Sequence, residues 1–421
     1  MSQAHRLDCE AAVADCRFII QSEHEDEAVE LAKNHMRDIH GKDFTDEEIR
    51  SEHLQIVWRQ PMATEPRADA DTIDEQKLTE LVETSLVDLG ATVHAALAII
   101  GDELGLYTAL DEAGPLTSAE LAEETDTAER YVREWLRAQA AGRYVTYDPE
   151  THHYDLSPEQ AYVLANKESP VFMPGAFQLV ASVAKIEPEL YEAFQTGEGI
   201  GWHEHDEDVF HGTERFFGPS YGANLVDWIE ALDGVDETLK AGGLIADVGC
   251  GHGAPTIRMA EAHPNSTVVG IDYHESSIAV ARERAETAGI ADRVDFEVAT
   301  AREYEGTDYD LVTMFNCFHD MGDPVGVAAH VRETLADDGT WMIVEPYAED
   351  RVEDNLTPFG RLAYSISTVA CTPNSLSQEV GYGLGAQAGE EQTRDVVTEG
   401  GFTRFRRAAE TPTSLVFEAK P

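Results

Sequence analysis

The chain has 421 residues, enough for two or three domains, and 42% of them are hydrophobic, enough for ordinary cores. Eighty-one acidic residues stand against 30 basic ones, a formal net charge of −51, and only seven of the basic residues are lysines. The acid is spread along the whole length, so it is a surface property and not an acidic tail; it speaks against a nucleic-acid partner and resembles the surface of proteins that work in molar salt, where repulsion is screened over a few Å. Five cysteines and no signal peptide point to a reducing cytoplasm, and no apolar run is expected to approach a membrane span of about 20 residues.

Residues 1–60 read as a separate small α+β unit. A strand is expected over 17–21, a helix over 26–40 stopped by Gly41, and a second helix over 44–58. Cys9, Cys16, His35 and His40 stand out, with His24 and His53 nearby. Two thiolates and two imidazoles suit tetrahedral zinc, but the spacing is not that of a zinc finger. His35 and His40 also lie about 140° apart on an ideal helix. A metal site and ordinary buried thiols with surface histidines both remain open. Residues 61–74, with prolines and acids and no periodicity, read as a linker.

Residues 75–166 read as helical with a winged-helix ending. Helices are expected over 78–89 and 91–113, the second with an apolar side made by Ala95, Leu97, Ile99, Ile100, Leu104, Leu106 and Leu110. Thr117-Ser-Ala-Glu120 is a capping box, and 126–141 is the next helix, closed by Gly142. Short strands at 144–147 and 153–156 flank Asp148-Pro149 as the wing. Arg130, Arg133 and Arg137 share one side of the 126–141 helix, the recognition helix of such a fold, and keep DNA binding open, while Glu129, Glu134 and the net charge oppose a phosphate backbone. The apolar helices fit a dimerisation module better.

Residues 167–237 read as a helical cap holding Gly201-Trp-His-Glu-His-Asp, with His211 and Arg215-Phe-Phe further on. Trp202 and His203 are candidates for substrate contact. His203, Glu204, His205 and His211 could hold a metal, but without a cysteine and in acidic surroundings a solvated loop is the expectation.

Residues 238–421 hold the most informative stretch. Leu244 to Val248 is a buried strand, Gly249, Gly251 and Gly253 alternate after it, 256–262 is helical, and 267–271 is a second strand ending in Asp272. In such strand–loop–helix–strand units the loop takes a ribose-bearing cofactor and the terminal acid accepts its hydroxyls. Gly249, Gly251 and Ala254 also satisfy a dinucleotide fingerprint, but Asp247 would repel a pyrophosphate and suits a methionyl ammonium. Further strands are expected at 294–298, 309–315 and 338–345, helices at 276–288, 358–372 and 393–399, and a closing antiparallel pair at 402–408 and 414–419.

Asp247-Val-Gly-Cys-Gly-His-Gly253 resembles the first motif of class I S-adenosylmethionine (SAM)-dependent methyltransferases, and the later strands follow that family. The resemblance implies an α/β, Rossmann-like class I methyltransferase domain, a helical winged-helix dimerisation domain before it, and SAM held by Asp247, Gly249, Gly251, Gly253, Asp272, Tyr273, Thr300, Ala301 and Asn316. Family members usually carry an acid after the third strand; here Thr300 is the only side-chain acceptor. Phe318-His319-Asp320-Met321 resembles the His-Asp-Trp of phenolic O-methyltransferases. That implies His319 as general base, with Asp320 beside it and Glu345 orienting its ring. The resemblance to small-molecule O-methyltransferases implies a homodimer acting on a small hydroxylated acceptor; with the charge, cysteines and hydropathy above, the expectation is a cytoplasmic protein without a membrane partner and with a nucleic-acid partner disfavoured. Residues 1–60 resemble a separate family of small predicted metal-binding domains of unknown function. The alternative is a winged-helix transcriptional regulator that uses a methyltransferase-like fold as a ligand sensor.

Overall fold

The computed structural model describes residues 3–8, 19–22, 25–40, 42–50, 54–58 and 73–421. It divides into two compact units, Met1–Leu86 and Val87–Pro421.

In the first unit, strand Gln3–Asp8 lies between Ile19–Ser22 and Leu54–Trp58, antiparallel to both. Helix Glu25–His40 packs on this sheet and buries Ala28, Val29, Ala32 and Met36. The expected helix over 44–58 is corrected: one short turn, Asp46–Glu48, is helical, and Leu54–Trp58 is a strand. Its Leu-Gln-Ile-Val-Trp sequence alternates and is rich in β-formers, so ladder pairing outcompetes a helix there. Cys9, Cys16 and the side chain of His40 lie outside the described residues, as does most of the 61–74 linker.

The helix Glu75–Glu103 runs straight through Gly90, and the break comes instead at Gly105, whose φ of 69° starts Leu106–Ala113. The apolar run is therefore longer than expected from two helices. By length and composition this one helix could cross a membrane, which corrects the expectation that no run approaches a span. Within the second unit it is tied into the fold: Asp88 takes a two-pronged ion pair from Arg361 at 3.0 and 2.7 Å, and Trp135 Nε1 donates to the Leu97 carbonyl at 2.8 Å. The winged helix closes around Leu106, Tyr107, Leu110, Leu121, Val132, Trp135 and Leu136, with strands Thr146–Tyr147 and Tyr154–Asp155 as its wing. The expected capping box forms, Thr117 and Glu120 each capping the other's backbone. The arginines of helix Glu129–Ala141 are spent within it: Arg133 pairs with Glu129 and Arg130 with Glu134, both at 2.6 Å.

The catalytic-type domain is a seven-stranded sheet. Its strands are β1 (Leu244–Val248), β2 (Thr267–Asp272), β3 (Val294–Val298), β4 (Tyr309–Phe315), β5 (Leu335–Pro346), β6 (Arg404–Glu410) and β7 (Ser414–Lys420). The order is β6-β7-β5-β4-β1-β2-β3, parallel except for β7, which runs antiparallel to both β5 and β6. Near-continuous apolar runs in β1, β4 and β5 reflect burial on both faces. Chain order reverses between β1 and β4, so a crevice opens at their carboxyl ends, where ligands of open α/β sheets bind.

Two cap helices roof that crevice, Pro174–Val183 and Glu207–Glu230. They cross at glycines: a Cβ on Gly212 would lie 2.5 Å from the Leu179 nitrogen, and one on Gly175 would lie 2.6 Å from Arg215.

Candidate active site

The floor of the crevice is the loop after β1. Gly249, Gly251 and Gly253 have φ of 76°, 51° and 77°, a left-handed conformation that strongly favours glycine. A Cβ on Gly249 would meet Cys317 Sγ at 2.6 Å, whereas nothing lies within 4 Å of one on Gly251, whose open side faces the cleft. Beneath the loop, Asp247 is fully buried and accepts hydroxyl hydrogen bonds from Thr256 at 2.5 Å and Thr313 at 2.9 Å. Burial pushes its carboxyl up to about 6, more than the two hydroxyls pull it down. Asp247 is therefore a support under the loop, not part of the cleft wall.

At the tip of β2, Asp272 accepts the Gly251 N–H and the His274 N–H, both at 2.9 Å. Burial raises its pKa above the usual carboxylate range despite those bonds. Next to it, Tyr273 is half-exposed with its hydroxyl 3.5 Å from His203 Nδ1. Thr300 and Ala301 follow β3, whose Val298 is in register with Asp272; the Thr300 hydroxyl bonds to Glu303 at 3.2 Å. Asn316 has a left-handed φ of 50°; its amide nitrogen donates to the Tyr221 hydroxyl at 2.7 Å, and its buried Oδ1 has no hydrogen-bond partner. Gly249 to His252, Tyr221, Phe217 and Phe315 line a cleft of about 570 Å³. The bare glycine backbone of this cleft, with the Asp272 carboxylate behind the Gly251 N–H and the orphaned Asn316 amide oxygen at the neighbouring pocket, fits a nucleoside cofactor bearing an amino-acid tail.

Beyond it lies a second pocket of about 750 Å³, apolar through Leu179, Phe216, Phe359, Leu362 and Ile366, with His319 and Asp320 in its wall. The two share Trp202, Thr213 and Phe217, so the pockets are neighbours across one wall. His319 is buried, and its Nδ1 bonds to Glu345 on β5, whose other oxygen accepts the Phe318 N–H at 3.1 Å. Its Nε2 lies 3.3 Å from Asp320 Oδ1. Burial depresses the imidazole pKa, but the charges of Glu345 and Asp320 outweigh it and hold the pKa well above the ordinary value.

The structure thus brings His319, Asp320, Asn316 and Trp202 to the apolar pocket with Glu345 behind His319, and Gly249 and Gly251 to the cleft with Asp272 behind Gly251. His203 is exposed and lies outside the pocket walls, its ring edge-on to Tyr273. The solvated-loop expectation is corrected at His205, which is buried beside Trp202 with neither ring nitrogen partnered. Sequence reasoning missed Tyr221, Thr256, Thr313 and Cys371. It also missed Glu214, which accepts from His252 at 3.0 Å and pairs with Arg284, clasping the cap to the glycine loop.

Residues 239–381 match the family described as Methyltransferase domain, 92–166 the Rv2258c-like winged HTH domain, and 4–54 a protein family of unknown function, DUF1059. Among characterised relatives, 27-O-demethylrifamycin SV methyltransferase of Amycolatopsis mediterranei is 32% identical over 171 residues, which are 39% of this chain and 55% of that one. The chain thus spans about half the length of that relative. Two solved structures share the fold across 83% of this chain. Human N-acetylserotonin methyltransferase in complex with SAM has a TM-score of 0.60 at 16% identity, over 99% of its length. An O-methyltransferase family protein from Burkholderia thailandensis has a TM-score of 0.58 at 18% identity, over 98% of its length. The chain therefore carries, in order, a DUF1059 segment, a winged-helix domain and a domain of the SAM-dependent methyltransferase family.

Proposed function

We propose that the protein is a SAM-dependent O-methyltransferase acting on a hydroxyl group of a small, largely apolar molecule. One observation carries this reading: a buried histidine, pinned through Nδ1 by Glu345, stands in an apolar pocket that shares a wall with the glycine-loop cleft. SAM supplies an activated methyl group when bound in that cleft. Gly249 and Gly251 would offer it bare backbone, with Asp272 behind them to accept ribose hydroxyls and Asn316 Oδ1, at the neighbouring pocket, to accept from the methionyl ammonium. Tyr273, Thr300 and Ala301 border the adenine end. The neighbouring pocket excludes water around the acceptor, and His319 Nε2 removes the hydroxyl proton as the oxygen attacks. Glu345 fixes the tautomer that leaves Nε2 free to do so and stabilises the imidazolium that results. The Burkholderia neighbour, named as an O-methyltransferase family protein, and the SAM complex of the human neighbour support this assignment. A screen of apolar phenols and alcohols, following release of S-adenosylhomocysteine, tests it; turnover confined to amines or carboxylic acids would reject the hydroxyl acceptor.

The chain is further read as a homodimer. Leu89, Val93 and Ile100 form an exposed apolar row on the helix Glu75–Glu103, continued by Leu104 just past its end, beside a groove lined by Tyr131, Trp135 and Ala138. Apolar surface of that extent marks an interaction site. A zinc ion on Cys9, Cys16, His35 and His40 is the corresponding proposal for the first unit. Zinc analysis of protein purified without chelators tests it, and absence of the metal rejects it.

A further inference from the structure

His319, Asp320 and Cys371 bring one nitrogen, one oxygen and one sulfur within 4.8 Å of one another at the wall of the apolar pocket. The three come from two separate turns. His319 and Asp320 sit on the turn Phe318–Asp320 after β4, and Cys371 ends the π-helical turn Ser367–Cys371. Wide turns of that kind recur at functional sites, because they re-aim a side chain that an ordinary helix would point elsewhere. Glu345 already holds His319 Nδ1, which turns Nε2 toward Asp320 Oδ1 at 3.3 Å. That oxygen is buried and makes no hydrogen bond. Cys371 is also buried.

We propose that His319 Nε2, Asp320 Oδ1 and Cys371 Sγ form a binding site for one thiophilic divalent cation of the zinc type, with Glu345 as the outer carboxylate that orients the histidine. A tetrahedral ion with bonds of about 2.0–2.3 Å sets neighbouring ligand atoms about 3.3–3.6 Å apart, so side-chain shifts of about 1 Å close the set. Three protein ligands leave a fourth position, and here it opens into the pocket. Binding releases the thiol proton and any proton on Nε2 to solvent, and the remaining carboxylate–imidazole bond is the usual support for a ligating histidine. The second histidine-and-carboxylate cluster, His211, Glu214 and His252, is a poorer site because Arg284 pairs with Glu214. A cation on Nε2 would occupy the atom that the methyl-transfer reading assigns to proton removal, so the metal would inhibit; this consequence alone rests on that reading.

Cobalt(II) titration of the full chain tests the site without any turnover assay. With Cys9→Ser/Cys16→Ser, which removes the thiols of the first unit, a near-ultraviolet thiolate-to-cobalt band grows to saturation at one equivalent. The band disappears in Cys371→Ser, and Glu345→Gln weakens cobalt affinity about 10–100-fold. Two results overturn the proposal: no band in the Cys9→Ser/Cys16→Ser protein, or a band undiminished in Cys371→Ser, which would place the metal on Cys250 or Cys317. Should Cys371→Ser fail to fold, Asp320→Asn decides, since unchanged cobalt affinity there also overturns it.

Discussion

His319 and Glu345, 26 residues apart in sequence, are joined through Nδ1 and one carboxylate oxygen, while the other oxygen holds the Phe318 backbone. The histidine thereby spends one nitrogen on the fold and keeps the second for the pocket. For a base, only the neutral ring works, so activity falls as pH drops through its pKa. Glu345 and Asp320 hold that pKa above the ordinary value, which puts the acid limb above about 6.5. His319→Gln should lower turnover by about 10²–10⁴ with SAM affinity retained. Glu345→Gln should move the acid limb to lower pH. Near-normal turnover in His319→Gln would show that the acceptor needs no base. Stability runs the other way: a raised histidine pKa stabilises the fold fully below about 6.5, and that contribution is lost as pH rises through the folded value.

Gly249→Ala tests the loop. The substitution puts a Cβ at φ of 76° and 2.6 Å from Cys317 Sγ. Left-handed strain alone costs about 1–2 kcal/mol, and the overlap adds to it. The variant should unfold at lower urea than the parent and bind SAM more weakly, and Cys317→Ala added to it should restore part of the stability. A neutral Gly249→Ala would contradict the loop geometry.

The charge of −51 predicts salt dependence. Screening shortens from about 8 Å at physiological ionic strength to about 3 Å at 1 M. The unfolding midpoint should therefore rise by at least about 5 °C between those conditions, on the order of 2 kcal/mol for domains of this size. A flat midpoint across that range in calorimetry would remove the high-salt reading.

Light scattering in molar salt should give the mass of a dimer. Val93→Glu, which places a charge in the exposed apolar row, should give a monomer. A monomeric parent protein would leave that row without its proposed partner.

The glycine loop was legible in sequence because alternating positive φ leaves few residues other than glycine, and Asp272 because it ends a buried strand. The sheet followed from apolar runs, and its seven strands were expected within a few residues of where they lie. Leu54–Trp58 was not legible, since five apolar-rich residues suit a helix or a strand until a partner such as Gln3–Asp8 is in place. Nor was the continuity through Gly90, whose helix penalty of about 1 kcal/mol is too small to break a 29-residue helix. Tyr221 reaches Asn316 across 95 residues, and Cys371 reaches His319 only because a π turn aims it; neither leaves a local pattern.

The central claim is SAM binding in the cleft between the glycine loop and Asp272, and calorimetric titration of SAM into the full chain tests it most directly. The account predicts one SAM per chain, with affinity weakened by about 1.5–3 kcal/mol in Asp272→Ala, the scale of a charge-assisted hydrogen bond. No measurable SAM binding, or an Asp272→Ala protein that binds SAM as the parent does, would contradict it.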